Sequence, residues 1–137
     1  MPVLRTVRAR QADDDAVSLS VPDSVLIVDD HAGFRRRASQ LLVACGLVVV
    51  GEAGDGADAL RLHRRLHPDL VLLDVQLPDV DGIALIPLLL AEHPAGRVVL
   101  VSARDRSSYG DRLPAHQPFL RKDELTGPAI HDVLAAS

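Results

Sequence analysis

The sequence predicts an α/β protein in which a parallel sheet lies between two layers of helix. Two observations carry this. Short apolar runs rich in Val, Ile and Leu recur at 25–28, 47–50, 70–73 and 98–101, and Phe119-Leu120-Arg121 opens a shorter fifth strand on two apolar residues. A run without polar alternation is the mark of a strand buried on both faces, as in parallel sheets. Between most of these runs stand segments with apolar residues at helical spacing. Strand–helix–strand alternation with short connections then favours a parallel sheet with right-handed crossovers.

The elements follow in chain order. Residues 1–23 are polar, with Arg5, Arg8 and Arg10 before Asp13-Asp14-Asp15, and they close on Pro22-Asp23. They read as a disordered tail ahead of a single domain over 24–137, and the arginines break any apolar run that a secretory signal needs. After the strand at 25–28, Asp30 is expected to cap a helix over roughly 32–45. Its inward face is Phe34, Ala38, Leu41, Leu42 and Cys45, and Gly46 supplies the stop. A strand at 47–50 and an Asp55-Gly56 turn lead to a helix over 57–66, with Ala59, Leu60 and Leu66 inward. Pro68 ends it. The strand at 70–73 is followed by a loop shaped by Pro78 and Gly82, then by a helix over 83–93 containing Pro87. A proline is tolerated near a helix's first turn, where backbone donors lack partners anyway. The strands at 98–101 and 119–121 precede a last helix over 124–135, with Pro128 in its first turn. Between Ser102 and Lys122 the helical pattern weakens, because Gly110 and Pro114 interrupt it, so a short or frayed helix is expected near 106–113.

Composition bounds the function classes. The chain of 137 residues is 47% hydrophobic and 25% charged with a net charge of −4, ordinary for a globular domain and without general attraction to nucleic acid or anionic membrane. No segment is long and apolar enough to span a bilayer. The single cysteine, Cys45, excludes an internal disulfide and sits where a buried apolar role is expected. A reducing, cytoplasmic location fits.

Four polar positions stand at carboxyl ends of predicted strands: Asp29-Asp30, Asp74, Ser102 and Lys122. Ligands of open parallel sheets bind just outside those ends. Three carboxylates gathered there repel one another unless a cation neutralises them, and hard oxygen donors suit Mg2+. A carboxylate is also a phosphoryl acceptor, and Asp74, central and single, is the candidate. Lys122 and the Ser102 hydroxyl then stabilise oxygens of the attached group. Taken singly, each residue has a plainer reading: Asp30 as a helix cap, Asp74 and Ser102 as turn residues, Lys122 as an exposed lysine.

Val28-Asp29-Asp30-His31, Leu73-Asp74-Val75-Gln76-Leu77-Pro78-Asp79-Val80-Asp81-Gly82, Val101-Ser102-Ala103 and Phe119-Leu120-Arg121-Lys122-Asp123 resemble the marks of a response-regulator receiver domain of two-component signalling. The likeness runs from about Ser24 to Ala135. It implies a flavodoxin-like fold of five parallel strands in the order 2-1-3-4-5 with five helices. It implies that Asp74 accepts the phosphoryl group, that Asp30 and Asp74 bind Mg2+ with the backbone carbonyl of Gln76, and that Asp29 acts largely through water. Ser102 and Lys122 match the family's hydroxyl and lysine, and Phe119 its switch aromatic. The implied partner is a sensor histidine kinase or phosphotransfer protein docking beside the first helix. Arg35-Arg36-Arg37 on that helix reads as a solvated face.

The match departs in places. Asp123 stands where many members have proline, which resembles receivers of LuxR- and NarL-type regulators. The expectation is a stand-alone receiver or a fragment of a DNA-binding regulator; a basic recognition helix is absent, so direct DNA binding by this chain is not expected. Pro114-Ala115-His116-Gln117 replaces the usual Gly-Ala before the fifth strand. The family signals and dimerises through the fourth helix, fifth strand and fifth helix, so a remodelled output face is expected, and homodimerisation there stays open. The alternative is a pseudo-receiver, an interaction module with weak phosphorylation-driven switching. An aspartate-nucleophile phosphatase is remote, because Gln76 stands where such enzymes carry a second aspartate. His63 and His67, at i and i+4, have a metal-ligand spacing but no third ligand in evidence, so a solvated pair is expected.

Overall fold

A computed structural model describes residues 23–136. The chain folds as β1 (Ser24–Val28), α1 (Ala32–Ala44), β2 (Val48–Ala53), α2 (Gly56–Leu66), β3 (Leu70–Asp74), α3 (Gly82–Glu92), β4 (Arg97–Ser102), a 3-10 segment (Arg106–Arg112), β5 (Phe119–Arg121), a 3-10 turn (Lys122–Glu124) and α4 (Gly127–Ala136). The five strands are parallel and ordered β2-β1-β3-β4-β5. This is the flavodoxin-like arrangement the sequence predicts, with the fourth helical position held by the irregular 3-10 segment. Residues 1–22, nearly all of the expected tail, lie outside the described residues. Asp23, placed in that tail, is instead tied to the domain: its carbonyl accepts from Val48 and its carboxylate pairs with Arg97 at 2.6 Å.

Alternate strand residues feed two cores. Val25, Ile27, Leu70, Leu72, Val99 and Val101 pack against α1 and α4 through Phe34, Ala38, Leu42 and Ile130. Leu26, Val28, Val71, Leu73, Val98 and Leu100 face α2 and α3 through Ala59, Leu85 and Leu89. Period-two alternation between two apolar faces is why the middles of these strands are wholly apolar and their polar residues, Ser24, Asp74, Arg97 and Ser102, stand only at strand ends.

Several boundaries differ from the expectation. His31, not Asp30, is the N-cap of α1, and it makes no side-chain cap; Asp29 Oδ1 takes the His31 N–H at 2.8 Å instead. β2 runs on through Gly51, Glu52 and Ala53. It is an edge strand with alternating exposure and a register shift against Val25/Leu26, so its second half has no apolar run to reveal it. Leu66 is exposed, and His63 is buried in its place on α2. Pro87 lies in the second turn of α3, beyond the tolerated first turn, yet the helix continues to Glu92. The face formed by Leu85, Ile86 and Leu89 packs on the sheet, and that burial outweighs the local cost of about 3 kcal/mol. The last helix starts three residues later than expected: Thr126 Oγ1 accepts from Ala129 N, and Pro128, lacking a donor, fits only the first turn.

Candidate functional site

The carboxyl ends of β1, β3 and β4 deliver the polar residues to one rim. Register pairs Val28 with Leu73 and Asp74 with Val101. Asp29 therefore emerges beside Asp74, and Ser102 one step beyond it. Asp29 is fully buried, Asp74 is 4% exposed and Ser102 is 2% exposed, whereas Asp30 faces solvent. Asp29, Asp30, His31 and Asp74 each offer a ligand atom within 4.8 Å of the others.

Lys122 reaches this cluster from the end of β5. Its Nζ stands 2.5 Å from Asp29 Oδ2 and 3.3 Å from Asp74 Oδ2. The contact with Asp29 Oδ2 lies outside hydrogen-bond geometry, and that buried oxygen has no other hydrogen-bond partner. The ammonium also lies 4.6 Å from the centre of the Phe34 ring, whose negative face helps hold a cation with little water. One lysine does not balance the pocket. Burial first, and the Asp29 charge second, push the Asp74 carboxyl from its ordinary value near 3.8 up to about 6, against the opposing pull of Lys122 and of the Gln76 N–H at 3.3 Å. A buried, electron-rich set of oxygens that one lysine leaves under-neutralised, with the Asp29 Oδ2 paired to Lys122 but accepting no hydrogen bond, fits a hard divalent cation.

The loop after Asp74 is held tightly. Gly82 donates to the Val75 carbonyl at 2.6 Å, and a Cβ on Gly82 would stand 2.1 Å from the Asp74 carbonyl oxygen. Only glycine allows this approach. Asp79 turns its carboxylate onto the first N–H groups of α2, Gly56 at 2.8 Å and Ala57 at 3.0 Å. Those two donors hold its pKa below the usual carboxylate range. Gln76 forms an antiparallel bridge with Asp81.

On the opposite wall, Ser102 is engaged. Its Oγ lies 2.5 Å from the buried Tyr109 hydroxyl and accepts from Arg104 N at 3.0 Å. Tyr109 packs at 6.0 Å against Phe119, which is half-buried rather than withdrawn into the core. A cleft of about 320 Å³ opens between the two walls, lined by Gln76, Leu77, Asp81, Arg104, Tyr109 and Arg112 among others. An Arg112–Asp81 ion pair crosses it.

The structure thus gathers Asp29, Asp30, Asp74 and Lys122 into one pocket, with Ser102 beside it and Phe119 one shell away. Sequence reasoning missed three participants. Tyr109 lies in the stretch where the helical pattern fails. Arg35, expected on a solvated face, donates to the Asp29 carbonyl at 2.5 Å and to Glu52 at 3.0 Å. Arg106 pins the Pro114, Ala115 and Gln117 carbonyls, ordering the stretch that lacks Gly-Ala. Tyr109 alone left a signal, being the single tyrosine in a weakly apolar stretch.

The comparisons agree with this fold. Residues 25–116 match the response regulator receiver domain family. The response regulator GacA of Pseudomonas aeruginosa is 40% identical over 90 residues, covering 65% of this chain and 42% of that protein. The nitrate/nitrite response regulator NarL of Escherichia coli is 37% identical over 82 residues, covering 59% of this chain and 38% of that protein. The chain therefore spans less than half the length of these relatives. The signal receiver domain of the NarL-type regulator from Mycobacterium tuberculosis superposes with a TM-score of 0.72 at 35% identity, covering 83% of this chain and 94% of that one. Receiver domains work with histidine kinases or phosphotransfer proteins and are generally not turnover enzymes. The family match ends before Phe119 and Lys122, so the placement of those two rests on the pocket itself; with the parallel 2-1-3-4-5 sheet and its acidic rim, the chain belongs to the response regulator receiver domains.

Proposed function

We propose that this receiver accepts a phosphoryl group from the phosphohistidine of a sensor kinase or phosphotransfer protein onto Asp74. The observation that carries the reading is the Asp29–Lys122–Asp74 contact inside a buried acidic pocket. An Asp74 carboxylate oxygen forms the new O–P bond while the P–N bond of the donor breaks, its electron pair leaving on the imidazole nitrogen. Asp29, Asp30, Asp74 and the Gln76 carbonyl would hold Mg2+, which when bound supplies charge neutralisation at the phosphoryl oxygens. Lys122 releases Asp74 and turns its ammonium to another of these oxygens. Ser102 exchanges the Tyr109 hydroxyl for the phosphoryl group, and Phe119 follows the space that opens. Arg35 and the buried Phe34 fix α1, beside which the phosphodonor docks. Output, including any homodimer, runs through the 3-10 segment, β5 and α4. This chain is a cytoplasmic switch that does not itself contact DNA. The full-length relatives' regulatory roles extend to it only as part of the same proposal.

One observation favours the second reading, an interaction module with weak switching: Ser102 is already satisfied by Tyr109. Mass spectrometry after acetyl phosphate treatment separates the two. Labelling that needs Mg2+ and disappears in Asp74→Asn is expected; absence of labelling in the wild type refutes phosphoryl acceptance. NMR shifts at Phe119 on adding beryllofluoride and Mg2+ are expected, and their absence favours the weakly switching module.

A further inference from the structure

At the other rim of the molecule, three histidines meet. His63 on α2 is 2% exposed, and its Nδ1 is buried without a hydrogen-bond partner. Its ring centroid lies 6.4 Å from that of His67, the C-cap of α2, and 6.3 Å from that of His93, the C-cap of α3. His67 and His93 stack at 5.6 Å with their planes 15° apart. The expectation of a solvated His63–His67 pair is thus corrected. One member is interior, and the third ring comes from a helix that sequence spacing could not bring near.

An orphaned imidazole nitrogen in a packed interior is unfavourable unless something fills its lone pair. Burial first, then His93 and His67, lower the His63 pKa, against a smaller opposite pull from Glu92. Neutral imidazole is the ligating form. His67 holds a left-handed backbone, φ 42° and ψ 59°, and among the described residues it is the one non-glycine at positive φ. That conformation keeps its ring at the cluster rather than continuing the helix.

We propose that His63, His67 and His93 form a site for a borderline transition-metal cation, with Zn2+ as the fitting probe. Imidazole donors select such ions over Mg2+. Three nitrogens at about 2.0–2.1 Å from one Zn2+ set ring centres about 5 Å apart. As they stand the three rings do not bring their nitrogens together; closure requires the exposed His67 and the half-buried His93 to leave their stack and re-aim by side-chain rotation. Three protein ligands leave a fourth position for water. Glu92, bonded to Arg64 at 3.1 Å, supplies nearby negative charge. The site clips α2 to α3. The five residues of β3 separate it from Asp74 by about 16 Å, so it stands or falls independently of phosphoryl acceptance.

The test is calorimetric titration of Zn2+ into the full chain near neutral pH with saturating Mg2+. One Zn2+ per chain with micromolar or tighter affinity is expected. His67→Gln and His93→Gln should each weaken it about tenfold or more, while His131→Gln should not. Both substituted ligands are outside the deep core, so unchanged thermal melts without metal are expected. Zinc binding should persist in Asp74→Asn, and imidazole NMR resonances of the three histidines should move together. Binding that survives both ligand substitutions, that vanishes in Asp74→Asn, or that is absent altogether overturns the proposal.

Discussion

Replacing Asp74 by Asn is expected to stabilise the metal-free protein while abolishing its acceptor. In the folded chain the Asp74 carboxyl is held at about 6 against an ordinary value of 3.8, chiefly by burial and then by Asp29. Between those two values the folded state keeps a proton that the unfolded chain has given up, so stability falls as pH rises. Above about 6 the loss is complete. At about 1.4 kcal/mol for each tenfold change in proton affinity, ionised Asp74 costs about 3 kcal/mol at neutral pH. Asn carries no charge but sets an amide donor against Lys122, which returns part of the gain. A net stabilisation of about 1–3 kcal/mol at pH near 7.5 is expected, shrinking toward zero near pH 4. Urea unfolding in EDTA across that range measures it. Mg2+ should close or reverse the gap, since a cation at 100 times its dissociation constant adds about 2.7 kcal/mol to the wild type and little to the variant. An Asn variant no more stable than wild type in EDTA at neutral pH, or a gap independent of pH, would refute this electrostatic account of the pocket.

Further outcomes follow from individual contacts. Tyr109→Phe removes one buried hydrogen bond, costing about 1 kcal/mol in thermal or urea unfolding; it should lower the beryllofluoride concentration needed to shift Phe119 resonances. Lys122→Met leaves Asp29 and Asp74 facing each other without a cation, so labelling by acetyl phosphate should slow by at least about tenfold even at saturating Mg2+, with unchanged rates counting against its role. Gly82→Ala drives a methyl into the Asp74 carbonyl and should cost about 3 kcal/mol with loss of labelling, the upper end of what overpacking typically costs. At limiting Mg2+, the wild-type labelling rate should rise with pH through about 6 and then level, because the ionised form of Asp74 is the nucleophile.

How much of this was legible in the sequence depended on whether local pattern or distant packing decided the outcome. The central strands were read correctly because the interiors of β1, β3 and β4 are buried on both faces and are wholly apolar. The pocket was legible because its members sit at strand ends, where a buried polar residue breaks an apolar run. The second half of β2 was not, since an edge strand needs no continuous apolar run. Pro87 was read inside the helix over 83–93, and α3 does carry it, its local cost overridden by the face that α3 buries. His63 looked exposed because its burial comes from α3, which sequence periodicity on α2 does not see. The stretch from Arg106 to Gln117 was recognised as irregular, but its order comes from one arginine bridging three carbonyls, a contact with no signature in spacing.

The Asp79 carboxylate, clasping the start of α2, gives the two sides of the pocket unequal freedom. Departure of the loop that follows the acceptor would uncap a helix and expose two backbone donors. The facing side is held by a flexible side chain rather than a helix end, through the Arg106 strap beside a 3-10 turn kinked at Gly110. Slow amide exchange over 76–82 beside fast exchange over 103–113 would display this asymmetry. Under the proposed function, a change at Asp74 is then expected to spread away from α2 and toward the short fifth strand.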